Sequence, residues 1–123
     1  MVTVGVRVIL FGGQGASGFL NDTGQWDGST WTQLASPISP PALYGFALAT
    51  LNTTVVLFGG FDTTGGFQET HDTWALTGGI WTQLTPMTYP PARSFGAMAG
   101  VGGEIVLFGG ASHNDTWLLG GGP

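Results

Sequence analysis

Val55-Val-Leu-Phe-Gly-Gly60 is a short apolar run closed by two glycines, and the chain carries it three times. Val8-Ile-Leu-Phe-Gly-Gly13 precedes it and Ile105-Val-Leu-Phe-Gly-Gly110 follows it. Other marks recur between the copies in one fixed order. Asp22-Thr23, Asp72-Thr73-Trp74 and Asp115-Thr116-Trp117 come first, then Trp31-Thr-Gln-Leu34 and Trp81-Thr-Gln-Leu84, then Pro40-Pro41-Ala42 and Pro90-Pro91-Ala92. Trp31 to Trp81 and Pro41 to Pro91 are each 50 residues. A period near that length, with several short strands per unit, marks a repeat architecture.

Each unit reads as four strands. The first is Gly45–Ala49 or Phe95–Ala99, led in by Pro-Pro-Ala, whose prolines donate no ladder hydrogen bond. The second is the apolar run, hydrophobic on both faces as a strand buried between sheets should be. The double glycine is expected to end it, where backbone turns with no side chain in the way. The third follows Asp-Thr (Thr73–Leu76, Thr116–Leu119), and the fourth is Trp-Thr-Gln-Leu, its Trp packed between sheets with one N–H to satisfy. Val, Ile, Thr, Phe and Trp bounded by Gly, Pro and Asn are strand signals. No segment sustains a 3.6-residue apolar period, so the expectation is all-β with essentially no helix.

The combination resembles the kelch repeat of β-propellers. The resemblance rests on Gly59-Gly60 and Gly109-Gly110 after an apolar strand, on His71–Trp74 and Asn114–Trp117, on the Trp-Thr-Gln-Leu strand, and on Pro90–Arg93. It covers nearly the whole chain and implies one four-stranded blade per repeat around a central channel. The first copy departs from it, with Gly24 where Trp74 and Trp117 stand and Leu43 where Arg93 stands. Blade 1 is placed at about 1–34, blade 2 at about 42–84 and blade 3 at about 92–119, with a tail at 120–123. That gives ten strands, about two and a half blades, in which Val2–Val6 is the one candidate for a makeshift first strand. Propellers have about four to eight blades. The ring is therefore incomplete in one chain, and the expected partner is a second copy, giving a homodimer of six rudimentary blades, or the missing blades of a longer parent chain.

Composition narrows the chemistry. Of 123 residues only two are Lys or Arg (Arg7 and Arg93), and the net charge is −5. Neutralising a phosphate backbone takes many cations, so nucleic acid is not an expected partner. Cys is absent, which removes disulfides and thiolate chemistry. The start, Met-Val-Thr-Val-Gly-Val-Arg-Val, lacks the features of a signal peptide, and no apolar run nears the ~20 residues of a membrane helix. The compartment is left open and no membrane partner is expected.

Asp22, Asp72 and Asp115 hold one repeat position and read as structural turn caps. A paired acid–base role would need two carboxylates converging on one cleft. His71 fills the slot of Asn21 and Asn114, and His113 lies in a shortened loop; two imidazoles in different blades fall short of a zinc site. Ser112, His113 and Asp115 are adjacent in sequence, which is not triad geometry. Gly12-Gly13-Gln14-Gly15 lacks the following helix that a phosphate loop needs. No cofactor, no metal and no catalytic residue is expected.

What remains is surface. In an up-and-down sheet the second-to-third-strand loops and the loops between units emerge at the same end. The former vary most between copies: Gln14–Leu20, Phe61–Thr70 and Ala111–His113. Length variation at one end of a regular scaffold is typical of binding loops. The expected partner-binding residues are Phe19, Phe61, Phe67, Tyr89 and Arg93, and the expected function is a non-catalytic protein-binding or scaffold module of kelch type. Two other readings stand beside it: a fragment of a kelch-bearing enzyme, galactose-oxidase-like or a sugar epimerase, and a designed or relic propeller unit with no ligand. The copper oxidase needs a Cys cross-linked to a Tyr, so this segment could not carry that site alone.

Overall fold

The apolar run becomes the second strand of each of three sheets. A computed structural model describes residues 1–120, which form fourteen strands and no helix. Sheet I is β1 (Val2–Val4), β2 (Arg7–Gly15), β3 (Gly18–Trp26) and β4 (Trp31–Leu34), paired antiparallel in that order. After the short β5 (Leu43–Tyr44), sheet II opens with β6 (Ala47–Leu51) and β7 (Thr54–Phe58). The chain then makes β8 (Phe61–Asp62) and β9 (Gln68–Glu69) before completing sheet II with β10 (Thr73–Thr77) and β11 (Ile80–Leu84). Sheet III is β12 (Ala97–Val101), β13 (Glu104–Phe108) and β14 (Thr116–Gly120). Of the expected tail, 121–123 lie outside the described residues, and Gly120 belongs to β14.

The four-strand unit is as expected, and the repeat extends to register: Phe11 faces Thr23, Phe58 faces Thr73 and Phe108 faces Thr116. The count of ten strands is corrected to fourteen. Val2–Val4 does pair with β2, completing sheet I, and β5, β8 and β9 form an additional small sheet out of connections read as loops. The first strand of sheets II and III begins two residues later than expected. The residues before it, Gly45 (φ 70°) and Phe95 (φ 61°), are in the left-handed region, which a strand does not tolerate. In the first copy the double glycine does not end the strand. It bulges between Phe11 and Gly13, and the hairpin runs on to Gly15 and Gly18.

Sheet II lies between the other two, which is why its central strand is apolar on both faces. Val55 and Leu57 join Trp74, Leu76 and Trp81 against Ile9 and Phe11 of sheet I. Val56 and Phe58, on the opposite face, pack with Ala47 and Ala49 against Ile105 and Leu107 of sheet III. Leu57 and Val55 are among the most buried residues of the chain. Thr50 Oγ1 also donates to Thr3 O at 2.8 Å, tying β6 to β1.

Trp81 wedges sheets I and II together. It is 1% exposed, meets Phe11 edge-on at 5.5 Å, and donates its indole N–H to Thr23 Oγ1 at 2.8 Å. Its backbone N–H donates to Ser36 Oγ at 2.9 Å. The expectation for this position therefore holds in the second copy. Trp31, its counterpart, is 52% exposed, because among the described residues no sheet packs on the face of sheet I that carries it. Trp81→Ala is expected to lower stability by about 3–5 kcal/mol. Thr23→Val, which keeps shape but leaves the buried N–H without an acceptor, should lower it by about 1–3 kcal/mol. Urea unfolding of both variants beside the parent chain checks this, and a loss under ~1 kcal/mol for Trp81→Ala would contradict the wedge.

Candidate functional site

The loops between units and the loops between second and third strands meet at one end of the sheets, where they form the small sheet. β5 comes from the former; β8 and β9 come from the latter. Side chains with short reach fix this loop. Thr63 donates both its backbone N–H (3.1 Å) and its hydroxyl (2.7 Å) to Ala42 O. Asp62 Oδ1 accepts from Thr64 N at 2.9 Å, and Thr70 N donates to Gly60 O at 2.9 Å. The double glycine makes the approach possible. At Gly60 (φ 96°) a Cβ would meet Tyr44 O at 3.0 Å, and at Gly110 (φ 111°) it would meet Ser94 O at 2.7 Å, the same loop position one repeat later.

On this end five aromatic rings converge. Tyr44 is the hub: its ring centroid lies 5.4 Å from Phe19, 6.2 Å from Phe61 in a stacked arrangement, and 5.3 Å from Phe95 edge-on. Phe67 closes the group edge-on to Phe19 at 5.7 Å. Phe19 and Phe61 are half-buried and hold the others in place, while Tyr44, Phe95 and Phe67 are exposed, Phe67 by 61%. Rings at these separations support one another geometrically. The result is a continuous aromatic platform in a chain with very few charges.

Three of the five residues read from sequence, Phe19, Phe61 and Phe67, are therefore brought together. Tyr44 and Phe95 were missed. Both sit just after Pro-Pro-Ala, where the sequence reads as a strand entry; their placement follows from the pairing of β5 with β8 and from the Phe95 N–H donating to Gly45 O at 2.7 Å. The available signal was the loop rule itself, which places both loop sets at one end. Tyr89 is not in the cluster. It is exposed and stacks on His71 at 4.3 Å, so His71 does more than replace a turn Asn.

Arg93 is corrected more fundamentally: it is 1% exposed and offers no free cation at the surface. Its guanidinium donates to Gly109 O at 2.9 Å and to both carboxylate oxygens of Asp115, one of them at 2.8 Å, while Nε donates to Pro91 O at 3.2 Å. Such a forked pair fixes orientation as well as charge. The carboxylate of Asp115 also accepts the Trp117 indole N–H at 2.7 Å. Asp115 is structural as expected, with its carboxylate held chiefly by the side chains of Arg93 and Trp117; a further backbone contact at this position is Gly109 N–H to Asp115 O, repeated as Gly59 N–H to Asp72 O. In the preceding unit Leu43 replaces the arginine and is buried, and Trp74 Nε1 has no hydrogen-bond partner among the described residues. Buried Ser94, beside Arg93, donates to Glu69 Oε2 at 2.8 Å, tying the two loop sets of adjacent sheets together. Among the described residues no three His, Asp or Glu side chains gather as a metal-holding group. No protein-family model and no curated protein matches the chain.

The Arg93 hydrogen bonds, with that of the Trp117 indole, hold the Asp115 carboxyl well below the usual carboxylate range. The unfolded chain takes up that proton near the ordinary value of 3.8, whereas the folded chain resists it. The pair therefore stabilises the fold above that pH, and its contribution is lost as the pH falls below it. Melting temperature measured from about pH 6 down to about pH 2 should drop more steeply in the parent chain than in Asp115→Asn. Parallel curves for the two would contradict the assignment.

Proposed function

We propose that the three sheets are consecutive blades of a kelch-type β-propeller, and that the chain serves as a non-catalytic protein-binding scaffold whose ring is completed by a second copy. Support for the propeller reading comes from the repeat itself. Three sheets stack in chain order with one register, and each double glycine has positive φ at both residues. Support for a second copy comes from the two uncovered faces. Phe58 is 4% exposed in sheet II, while its counterpart Phe108 in sheet III is 53% exposed, with Leu118, Ala97 and Ala99 bare beside it. At the other end Leu10 and Trp31 are exposed, at the positions that Leu57 and Trp81 fill in sheet II. These two faces match because the same pair of faces already packs between sheets I and II. Covering each large apolar side chain is worth roughly 1.5–3 kcal/mol.

The observation that carries the binding function is the aromatic platform of Tyr44, Phe67 and Phe95 on Phe19 and Phe61. Exposed aromatic groups on a rigid base are the usual anchors of protein contacts. Panning the folded chain against a random peptide library tests this. Selected peptides should lose about tenfold or more in affinity on Tyr44→Ala or Phe67→Ala, a loss of the size expected for an interface anchor. Val6→Ala, in the exposed turn at the opposite end, should leave them unchanged. Peptides indifferent to both platform substitutions would sink the reading.

A further inference from the structure

Sheets I and II enclose a cleft of about 490 Å³ at the end away from the aromatic platform, beside the turns Gly5-Val6 and Gly78-Gly79. Every residue that lines it lies between Val4 and Gly79, so its walls belong to the two sheets with four strands each. Sites for small ligands occupy about 300–1,000 Å³. The floor is aliphatic: Ile9, Val55 and Leu76 are buried in the core between the sheets, and Val4 and Leu34 pack against them.

One corner of this apolar cleft carries charge. Side chains alternate across a strand, so Arg7 shares the face of β2 that turns Ile9 and Phe11 toward sheet II. Gln25, cross-strand partner of Ile9, lies on the same face. Arg7 is exposed, and among the described residues no carboxylate forms an ion pair with it. The carboxylate of Asp27, at the end of the neighbouring strand, is held by its own turn, accepting from Ser29 N at 2.9 Å and Thr30 N at 3.0 Å. With Arg93 buried on Asp115, Arg7 is the one cation of the chain open to an outside anion. The polar pair is particular to this cleft. One repeat later Thr54 stands at the position of Arg7 and Ala75 at that of Gln25, and Thr54 Oγ1 lies 3.0 Å from Thr77 Oγ1. There sheet III also comes close, since a Cβ at Gly100 would collide with Thr50 O.

We propose that the cleft binds a medium-chain aliphatic monocarboxylate, with its head on Arg7 and Gln25 and its chain along Ile9, Val55 and Leu76. A guanidinium meets a carboxylate through two parallel hydrogen bonds. The lone cation in a chain of net charge −5 matches a ligand of one negative charge and opposes a polyanion. The lining holds aliphatic side chains and turn backbone, which suits an extended hydrocarbon chain. The site is separate from the aromatic platform and does not depend on it.

The test is a nuclear magnetic resonance titration of the full chain with decanoate. Saturable shifts are expected at the amides of Val4–Arg7, Gly78 and Gly79. Arg7→Gln, a change at an exposed side chain, should weaken binding about tenfold or more, the size of a lost charge-assisted hydrogen bond. Decanol, equal in length but uncharged, should bind weaker by a similar factor. Octanoate should bind about tenfold weaker than decanoate, since each buried methylene is worth about fourfold. Decanol binding as tightly as decanoate, or decanoate binding unchanged by Arg7→Gln, would overturn the proposal. So would shifts confined to the amides of Tyr44 and Phe67, or no saturable shift up to about 2 mM (a ceiling near the weakest useful affinity).

Discussion

The stacking of one sheet on the next, wedged between sheets I and II by Trp81 with its N–H on Thr23, is the interaction on which the rest of this structure depends. A short strand that is apolar on both faces cannot be satisfied by a sheet exposed on one side. Sheet II meets the demand because it has a neighbour on each face, and its central residues Val55–Phe58 are all buried. Sheets I and III meet it on one face only. The contrast between Trp81 and Trp31, and between Phe58 and Phe108, is thus a contrast of position in the stack and not of residue type.

The same stacking builds the aromatic platform. Bringing adjacent sheets together forces their connecting loops to share one end, and the double glycines let those loops pass at backbone contact distance. Phe19, Tyr44, Phe61, Phe67 and Phe95 reach one another only because β5 and β8 pair there. Arg93 contributes from beneath as a buried clamp between the strand-end glycine of β13 and Asp115.

Much of the fold was legible from sequence because its information is periodic. Four marks recurring in order define a unit, and hydrophobicity on both faces of the second strand implies stacking. The misses share a physical cause. β5, β8 and β9 are two-residue strands set by loop-to-loop pairing, which leaves no periodic trace. Tyr44 and Phe95 enter the aromatic platform through backbone turns with positive φ at Gly45 and Phe95, and a non-glycine in that region carries no sequence warning. Residue type makes Arg93 an expected surface anchor. Its burial follows from Asp115, 22 residues away, turning toward it, which spacing does not reveal.

If a second copy completes the ring, as we propose, the packing between sheets I and II is repeated between copies and the bare faces of sheets I and III cover one another. Absolute mass in solution, by size exclusion with light scattering, tests it most directly. The expected result is a single species at twice 12.7 kDa, stable on dilution through the micromolar range. A single species of 12.7 kDa that unfolds cooperatively, with a melting temperature independent of concentration, would contradict it.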